Sequence, residues 1–481
     1  MDKDELNKVE QPAIDQLVSL GWTYLPGAAL SPEHPAQERS SFKEVVLPTR
    51  LNAAIQKINP WISVDNLRKV TRGLIHPTAA TLMEANQDMH TALVRYLSVE
   101  QDLGKGRKGQ TVRIIDFDDP ANNEFLVTNQ FRVAGPDDTI IPDLVLFVNG
   151  LPLAIIECKS PYINHPIAKG IEQLRRYADL RNPSDNEGAE RLFYANQMMV
   201  STCGRKAHLG TISSGPEHYL EWKDPYPLSM GDIKEDINQE PSSQEVLLAG
   251  VFSPNNFLDL IRNFIVFEPV DGRIIKKLAR YQQYRAVHKT VLRLKTAPTR
   301  KEKGGIIWHT QGSGKSLTMV FLAIKIRRDP VLKAYKLVFL TDRTQLDEQL
   351  TTTFARTQGE TIYHADSVKR LHELLRKDSS DLVTAMIQKF READQGELVE
   401  LNPSEKIIVL ADEAHRSQYG DMGVNLNIAL PNAPKIAFTG TPLIKTQKTS
   451  AEFGSYIATY TIEQAVQDKA TVQILYEGRE A

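Results

Sequence analysis

Apolar residues along this 481-residue chain change their spacing several times. Near the start, KVEQPAIDQLVSLGW repeats them at helical intervals, which predicts an amphipathic first helix. Ile141 to Pro161 reads IPDLVLFVNGLPLAIIECKSP, two β-rich runs parted by Asn149-Gly150, a strong hairpin signal. A helix, AKGIEQLRRYADL, follows. VLLAGVFSPNNFLDLIRNFIVFE reads as a connector with a short helix, Pro254 falling near its start. From about Asp271, helices alternate with the continuous apolar runs KLVFLTD, KIIVLADE and KIAFTGT. Buried parallel strands separated by helices give that pattern, so the class is α/β and this part is a doubly wound parallel sheet. Two stretches break the pattern and read as loops or insertions: Gly104 to Gln110, and a longer Pro-, Gly-, Ser- and acid-rich segment over 182–244.

Composition narrows the field. Hydrophobic residues make up 41% and charged residues 25%, an ordinary globular balance that needs no disulfide or metal staple. Formal net charge is −2, which excludes a uniformly basic nucleic-acid binder but not a local basic stripe. Asp271 to Lys303 is such a stretch, with eleven Lys or Arg against two acids. Cys158 and Cys203 are the only cysteines, so a disulfide scaffold and a four-cysteine zinc site are excluded, and a reducing cytoplasm is the expected location. The polar start MDKDELNKVE has no signal-peptide core, and no apolar run approaches the roughly 18 residues of a membrane span, so no membrane association is expected.

The hairpin carries the first chemistry. Asp143 lies early in its first strand, and Glu157 and Lys159 lie late in the second, two apart and therefore on one face. Asp143 shares that face only if directly paired positions have an even sum. A two-residue Asn-Gly turn pairs Val148 with Leu151, an odd sum. The expectation is therefore a three-residue loop, Val148-Asn149-Gly150, with a bulge at left-handed Gly150 and Asp143 opposite Ile155. Two carboxylates suit Mg²⁺, which would polarise a phosphodiester and generate hydroxide, and a lysine can orient water and stabilise developing charge. Pro142-Asp143 followed by Glu157-Cys158-Lys159 resembles the PD-(D/E)xK nuclease superfamily. In restriction nucleases of that kind a Gln-x-x-x-Tyr helix helps hold DNA; Gln173 and Tyr177, four apart on one helical face, match it. Glu10 is a candidate third carboxylate.

The second chemistry is a nucleotide site. In GGIIWHTQGSGKSLTMVFLA, Gly312-Ser313-Gly314-Lys315-Ser316 fits a phosphate-binding loop between strand and helix, with His309 where the strict pattern has Gly. Lys315 would reach the β and γ phosphates, and Ser316 would ligate Mg²⁺. Asp412-Glu413-Ala414-His415 ends an apolar strand; Asp412 would hold Mg²⁺ through water and Glu413 would act as general base. Thr439-Gly440-Thr441-Pro442 ends another. Their order, each at a strand's C-terminal end, resembles superfamily 2 helicases and translocases, so a RecA-like lobe is implied. The resemblance implies that Gln283 reads adenine, with Gln282 as runner-up. It implies that Thr341-Asp342-Arg343 and Gln388 track the strand. It implies that His415, Thr439, Gly440 and Thr441 couple hydrolysis to DNA.

A nuclease followed by such a motor resembles the restriction (R) subunit of type I restriction–modification enzymes. LFVNGLPLAIIECKSP, NFLDLIRNFIVFE, WHTQGSGKSLTM, TDRTQLDEQL, ADEAHRSQYG and FTGTPL carry the likeness. It implies a PD-(D/E)xK endonuclease-like domain over 1–250, a first RecA-like motor domain over 251–463 and the start of a second over 464–481. The implied activity is ATP-dependent translocation of double-stranded DNA and Mg²⁺-dependent cleavage of unmethylated DNA. The implied partners are methyltransferase (M) and specificity (S) subunits, which would own any S-adenosylmethionine. Two alternatives stand: a nuclease–helicase of repair or phage defence that cuts without such partners, and an ATP- and DNA-binding assembly module. A superfamily 2 motor closes ATP between two lobes, and Arg343 and Arg416 do not substitute for the second lobe's arginines. The expectation is therefore that these 481 residues bind nucleotide weakly and do not translocate alone; robust DNA-stimulated ATPase from the isolated chain would refute it.

Overall fold

A computed structural model describes residues 3–35, 37–181, 185–237, 239–341, 351, 354, 361–386, 400–412, 425–441 and 453–471. The chain divides into two compact units, Met1–Leu278 and Ala279–Ala481, each taken by itself below.

The first unit is built on a seven-stranded mixed sheet. Its order is β1 (Thr23–Tyr24), β2 (Phe125–Asn129), β3 (Leu144–Val148), β4 (Leu151–Cys158), β5 (Met198–Thr202), β6 (Ala207–Gly210) and β7 (Leu220–Glu221). Every residue of β3 and β4 is buried, the expected price of a central position. β4 and β5 run parallel, and the helix Pro166–Tyr177 makes the crossover between them. β3 and β4 form the predicted hairpin, but the turn differs from the expectation. Val148 pairs with Leu151, and Asn149 and Gly150 have φ of 52° and 80°, a two-residue type I′ turn. A side chain at Gly150 would also strike the Leu47 carbonyl, at 2.6 Å. The bulge exists, but it sits at Leu153: Phe147 pairs with Pro152 and Leu146 with Ala154. Pro152 has no N–H to give the ladder, so the irregularity falls beside it rather than at the turn. The shift restores the even sum and extrapolates to Asp143 opposite Glu157, not Ile155.

Two other expectations need correction. The 182–244 segment is not an insertion outside the fold, because it supplies β5, β6 and β7. Its long polar turns hide the short buried run MMVST from any composition window. Gly104–Gln110 is not merely a loop: Arg107–Val112 returns as a strand against Leu97–Asp102. The first compact unit runs on to Leu278. The helices Ser243–Phe252 and Pro254–Asn263 pack on the first unit's core. Trp22 stacks edge-on against Phe125 at 5.2 Å and Phe257 at 5.6 Å, and its indole N–H donates to the Phe252 carbonyl at 2.7 Å. The hairpin Ile265–Val270 and Arg273–Leu278 follows, turned by Asp271-Gly272.

Among its described residues the second unit holds seven parallel strands in the order Ile362–Ala365, Leu382–Met386, Lys336–Thr341, Ile407–Ala411, Lys435–Thr439, Gly305–His309 and Tyr456–Tyr460. All three apolar runs named from sequence are strands here, and each is wholly buried. This is the expected doubly wound, RecA-like sheet.

Lys276 tests where the connector belongs. Its ammonium is buried and donates to Asn86 Oδ1, the Asn196 carbonyl and Gln197 Oε1 at 2.8–3.0 Å. Burial pushes its pKa well below the ordinary lysine value, but three acceptors match the three protons of the charged form. Lys276→Met should lower stability by about 2 kcal/mol, because it leaves the buried Asn86 Oδ1 without its donor. Chemical denaturation measures this, and an unchanged midpoint would show that the hairpin is not anchored there.

Candidate functional site

The carboxylate centre forms where β3 begins and β4 ends. Asp143 directly precedes β3, and its backbone carbonyl accepts the Gln130 N–H at 2.9 Å. Asp143 Oδ2 accepts the Cys158 backbone N–H at 2.8 Å, which fixes the carboxylate across the hairpin. Glu157 is fully buried. Its Oε1 accepts from Lys159 Nζ at 2.6 Å, and Nζ also donates to the Cys158 carbonyl at 2.9 Å and lies 4.0 Å from Asp143 Oδ2. Cys158 points to the opposite, buried side, and burial raises its thiol pKa well above the ordinary value. The centre thus brings together Asp143, Glu157 and Lys159.

Glu10 joins it indirectly. The N-terminal helical run makes a π-turn at Leu6–Glu10, and Glu10 is buried. Asn129 donates to Glu10 Oε1 at 2.9 Å. The Gln130 amide bridges the centre, donating to Glu10 Oε2 at 3.3 Å and Asp143 Oδ1 at 3.2 Å. Asn129 and Gln130 escaped the sequence reading. Their only signal there is a polar pair ending an apolar run, and the left-handed backbone of Gln130, φ 50°, is invisible in sequence. Gln173 donates to the Tyr177 hydroxyl, which donates to the Ile141 carbonyl at 3.2 Å. The pair therefore buttresses the strand entering Asp143. Burial raises the Tyr177 phenol above its usual pKa.

The electrostatics follow from crowding. Burial, then the Asp143 charge, pushes the Glu157 pKa well above the carboxylate range. Burial pushes Glu10 up to about 7 against its amide hydrogen bonds. Burial works to lower the Lys159 pKa, but the charge and hydrogen bond of Glu157 outweigh it and raise it. Glu157 Oε2 is buried without a hydrogen-bond partner. An orphaned carboxylate oxygen beside a second carboxylate fits a hard divalent cation. Among the described residues no three His, Cys, Asp or Glu form a ready metal cage.

The residues expected to bind nucleotide lie at the C-terminal ends of three adjacent parallel strands. Gly305–His309 leads through the loop to the helix Lys315–Arg328, capped by left-handed Gly314. Lys315 is buried at the helix start, Ser316 follows it, and Ser313 Oγ donates back to the Thr310 carbonyl at 2.5 Å. A Cβ on Gly440 would lie 2.8 Å from Lys315 Nζ, so the Thr439-Gly440-Thr441 turn closely approaches the tip of that side chain. Thr439 Oγ1 donates to the Thr441 carbonyl at 3.0 Å. Asp412 is buried directly after Ile407–Ala411. Gln283 accepts the Arg280 N–H at 2.8 Å and donates to the Gly314 carbonyl at 3.0 Å, tying its helix to the phosphate loop. The Gln282 amide is buried and has no hydrogen-bond partner among the described residues. Burial, then the charges of Arg285 and Lys315, drives His309 down to about 3, so the ring at the departing position is neutral. Thr341 ends its strand, while Asp342, Arg343, Gln388, Glu413, His415, Arg416 and Pro442 lie outside the described residues.

Together the two units define a class: a restriction-endonuclease-like nuclease fold followed by a RecA-like ATPase lobe. Residues 3–218 match the type I restriction enzyme R protein N terminus, and residues 282–481 match the SWI2/SNF2 ATPase family. The type I restriction enzyme HindI endonuclease subunit of Haemophilus influenzae is 34% identical over 98% of this chain and 46% of its own length. The MjaIXP endonuclease subunit of Methanocaldococcus jannaschii is 33% identical over the same shares. The chain belongs to the R-protein family of type I restriction enzymes, and it spans about half the length of these curated relatives. Among the described residues no helix is long and apolar enough to cross a membrane.

Glu10 gives a pH test without added metal. An acid whose folded pKa is raised from 4.5 to about 7 stabilises below pH 4.5, and that contribution is lost as pH rises through about 7. Glu10→Gln should remove this loss, leaving the variant on the order of 2 kcal/mol better than wild type at pH 8 relative to pH 5 in EDTA. Parallel wild-type and variant curves in thermal melts at both pH values would rule out the raised pKa.

Proposed function

We propose that this chain is the nuclease and first motor lobe of an R subunit, which pulls double-stranded DNA with ATP and cuts unmethylated foreign DNA with Mg²⁺. The observation that carries the nuclease half is the buried, unpartnered Glu157 Oε2 beside Asp143 and Lys159. Asp143 and Glu157 would hold the metal, which supplies Lewis-acid polarisation of the phosphodiester and a water acidified to hydroxide. Lys159, anchored by Glu157 and the Cys158 carbonyl, orients the attacking water and offsets charge growing on the phosphate. Glu10 steadies Asp143 through Gln130. Gln173 and Tyr177 brace the strand entering Asp143.

In the motor half, the helix N-terminus and the glycine-flanked loop over 312–314 cradle phosphates, Lys315 neutralises the β and γ oxygens, and Ser316 and Asp412 would hold Mg²⁺. Glu413 would take the proton of the attacking water. Gln283 would read adenine from its seat against the loop. His415, Thr439, Gly440 and Thr441 would pass the state of the γ-phosphate to the DNA, and the proximity of Gly440 to Lys315 supports that role. The partners would be M and S subunits, which carry site recognition and methylation, in the cytoplasm.

The reading separates its two sites experimentally. In a complex reconstituted with M and S subunits, Lys315→Ala should abolish ATP hydrolysis and translocation. Asp143→Ala should abolish cutting while ATP hydrolysis continues. Cutting that survives Asp143→Ala would place the nuclease centre elsewhere.

A further inference from the structure

Three segments that build the carboxylate centre also meet on its outer surface. Tyr162 follows Lys159 by three residues and is 59% exposed, among the most exposed large hydrophobic side chains. Lys8, two residues before Glu10, sits over the Tyr162 ring at 4.5 Å and donates to its hydroxyl at 3.0 Å. Arg205 lies in the turn between β5 and β6, 5.7 Å from the same ring centroid. That turn is tied to the centre, because the Thr202 carbonyl accepts the Lys159 N–H at 2.8 Å.

We propose that Tyr162, Lys8 and Arg205 form a platform that seats an unstacked nucleotide of the DNA strand presented to the carboxylate centre. The inference rests on the nuclease reading and adds a substrate contact to it. Both cations lie over the exposed ring, and a single nucleic-acid strand would draw them to its phosphates while the uncovered ring takes a base. The charges are in place for this. Arg205 is exposed and makes no ion pair among the described residues. Lys8 pairs with Asp4 at 3.0 Å, but both side chains are about half exposed, and such a pair yields readily to a phosphate. Reach agrees as well. Three residues of extended chain span at most roughly 10 Å, which is about three nucleotides at the 3.4 Å rise of one strand. The platform therefore lies within a few nucleotides of the scissile position. A base available for stacking must have left its duplex, so the platform favours a frayed or separated strand over intact duplex.

The test is fluorescence anisotropy of the 481-residue chain with a labelled single-stranded oligonucleotide and with a blunt duplex, both without divalent metal. Tyr162→Ala should weaken single-strand binding about tenfold and duplex binding less than twofold. Tyr162→Phe keeps the ring and should stay within twofold of wild type. Lys8→Ala and Arg205→Ala should each reduce the slope of log affinity against log salt by about one. Equal losses on both DNA forms, a Phe variant as weak as Ala, or no single-strand loss with Ala would each overturn the platform. Tyr162 is exposed, so folding should be untouched, and thermal melts check it. Cutting by the reconstituted complex separates the layers: if Asp143→Ala stops it while Tyr162→Ala changes no affinity, the nuclease reading stands and the platform fails.

Discussion

Side chains of a β-strand alternate between faces with a period of two, and the first unit depends on how that parity is met. Asp143 and Glu157 come from paired strands, and one register step would put them on opposite sides of a fully buried sheet. The Asn149-Gly150 turn alone gives the wrong parity. The bulge at Leu153 corrects it, and the consequences run outward from there. The Cys158 N–H reaches Asp143, Lys159 falls back onto Glu157, and the thiol of Cys158 turns into the core. The turn itself is pinned by the Asn149 side chain, which donates to the Ile114 carbonyl at 2.9 Å and accepts the Glu124 N–H at 2.8 Å. With the turn fixed, the slack can appear only along the strands, beside the proline that cannot donate.

This explains what the amino-acid order disclosed and what it withheld. Face-sharing by Asp143, Glu157 and Lys159 was legible because it follows from periodicity and one chemical demand. The bulge was legible as a necessity but not as a location, since Gly150 and Pro152 both tolerate irregular backbone. The parallel sheet of the second unit was legible because strands buried on both faces read as unbroken apolar runs. β5 was not, because five apolar or small residues among long polar turns leave no window that favours a strand. Asn129 and Gln130 were invisible for another reason. Their role comes from a left-handed backbone at Gln130 and from a helix some 120 positions away in sequence, and neither leaves a local pattern.

The two sites solve anion chemistry by opposite means. Around Lys315, on the proposed reading, the loop would offer phosphates its backbone N–H groups, a helix terminus and one ammonium. The Thr439-Gly440-Thr441 turn comes close to it, with the position of a Gly440 Cβ 2.8 Å from Lys315 Nζ. The carboxylate centre instead concentrates negative charge in a buried place, which is unfavourable until something compensates it.

That compensation can be counted in charges. Asp143, Glu157 and Glu10, with Glu5 close by, outnumber the single ammonium of Lys159. Burial and the neighbouring acids push the Glu157 and Glu10 carboxyls toward their protonated forms. On the proposed reading a divalent cation would offset the same charge and compete with those protons. Gln130 is then the natural intermediary: its amide donates to both carboxylates, so a change of charge on Glu10 is felt at Asp143 without either acid moving. The bulge that set the parity of the hairpin thus also sets the charge balance, since a register without it would leave Glu157 on the far face, away from Asp143.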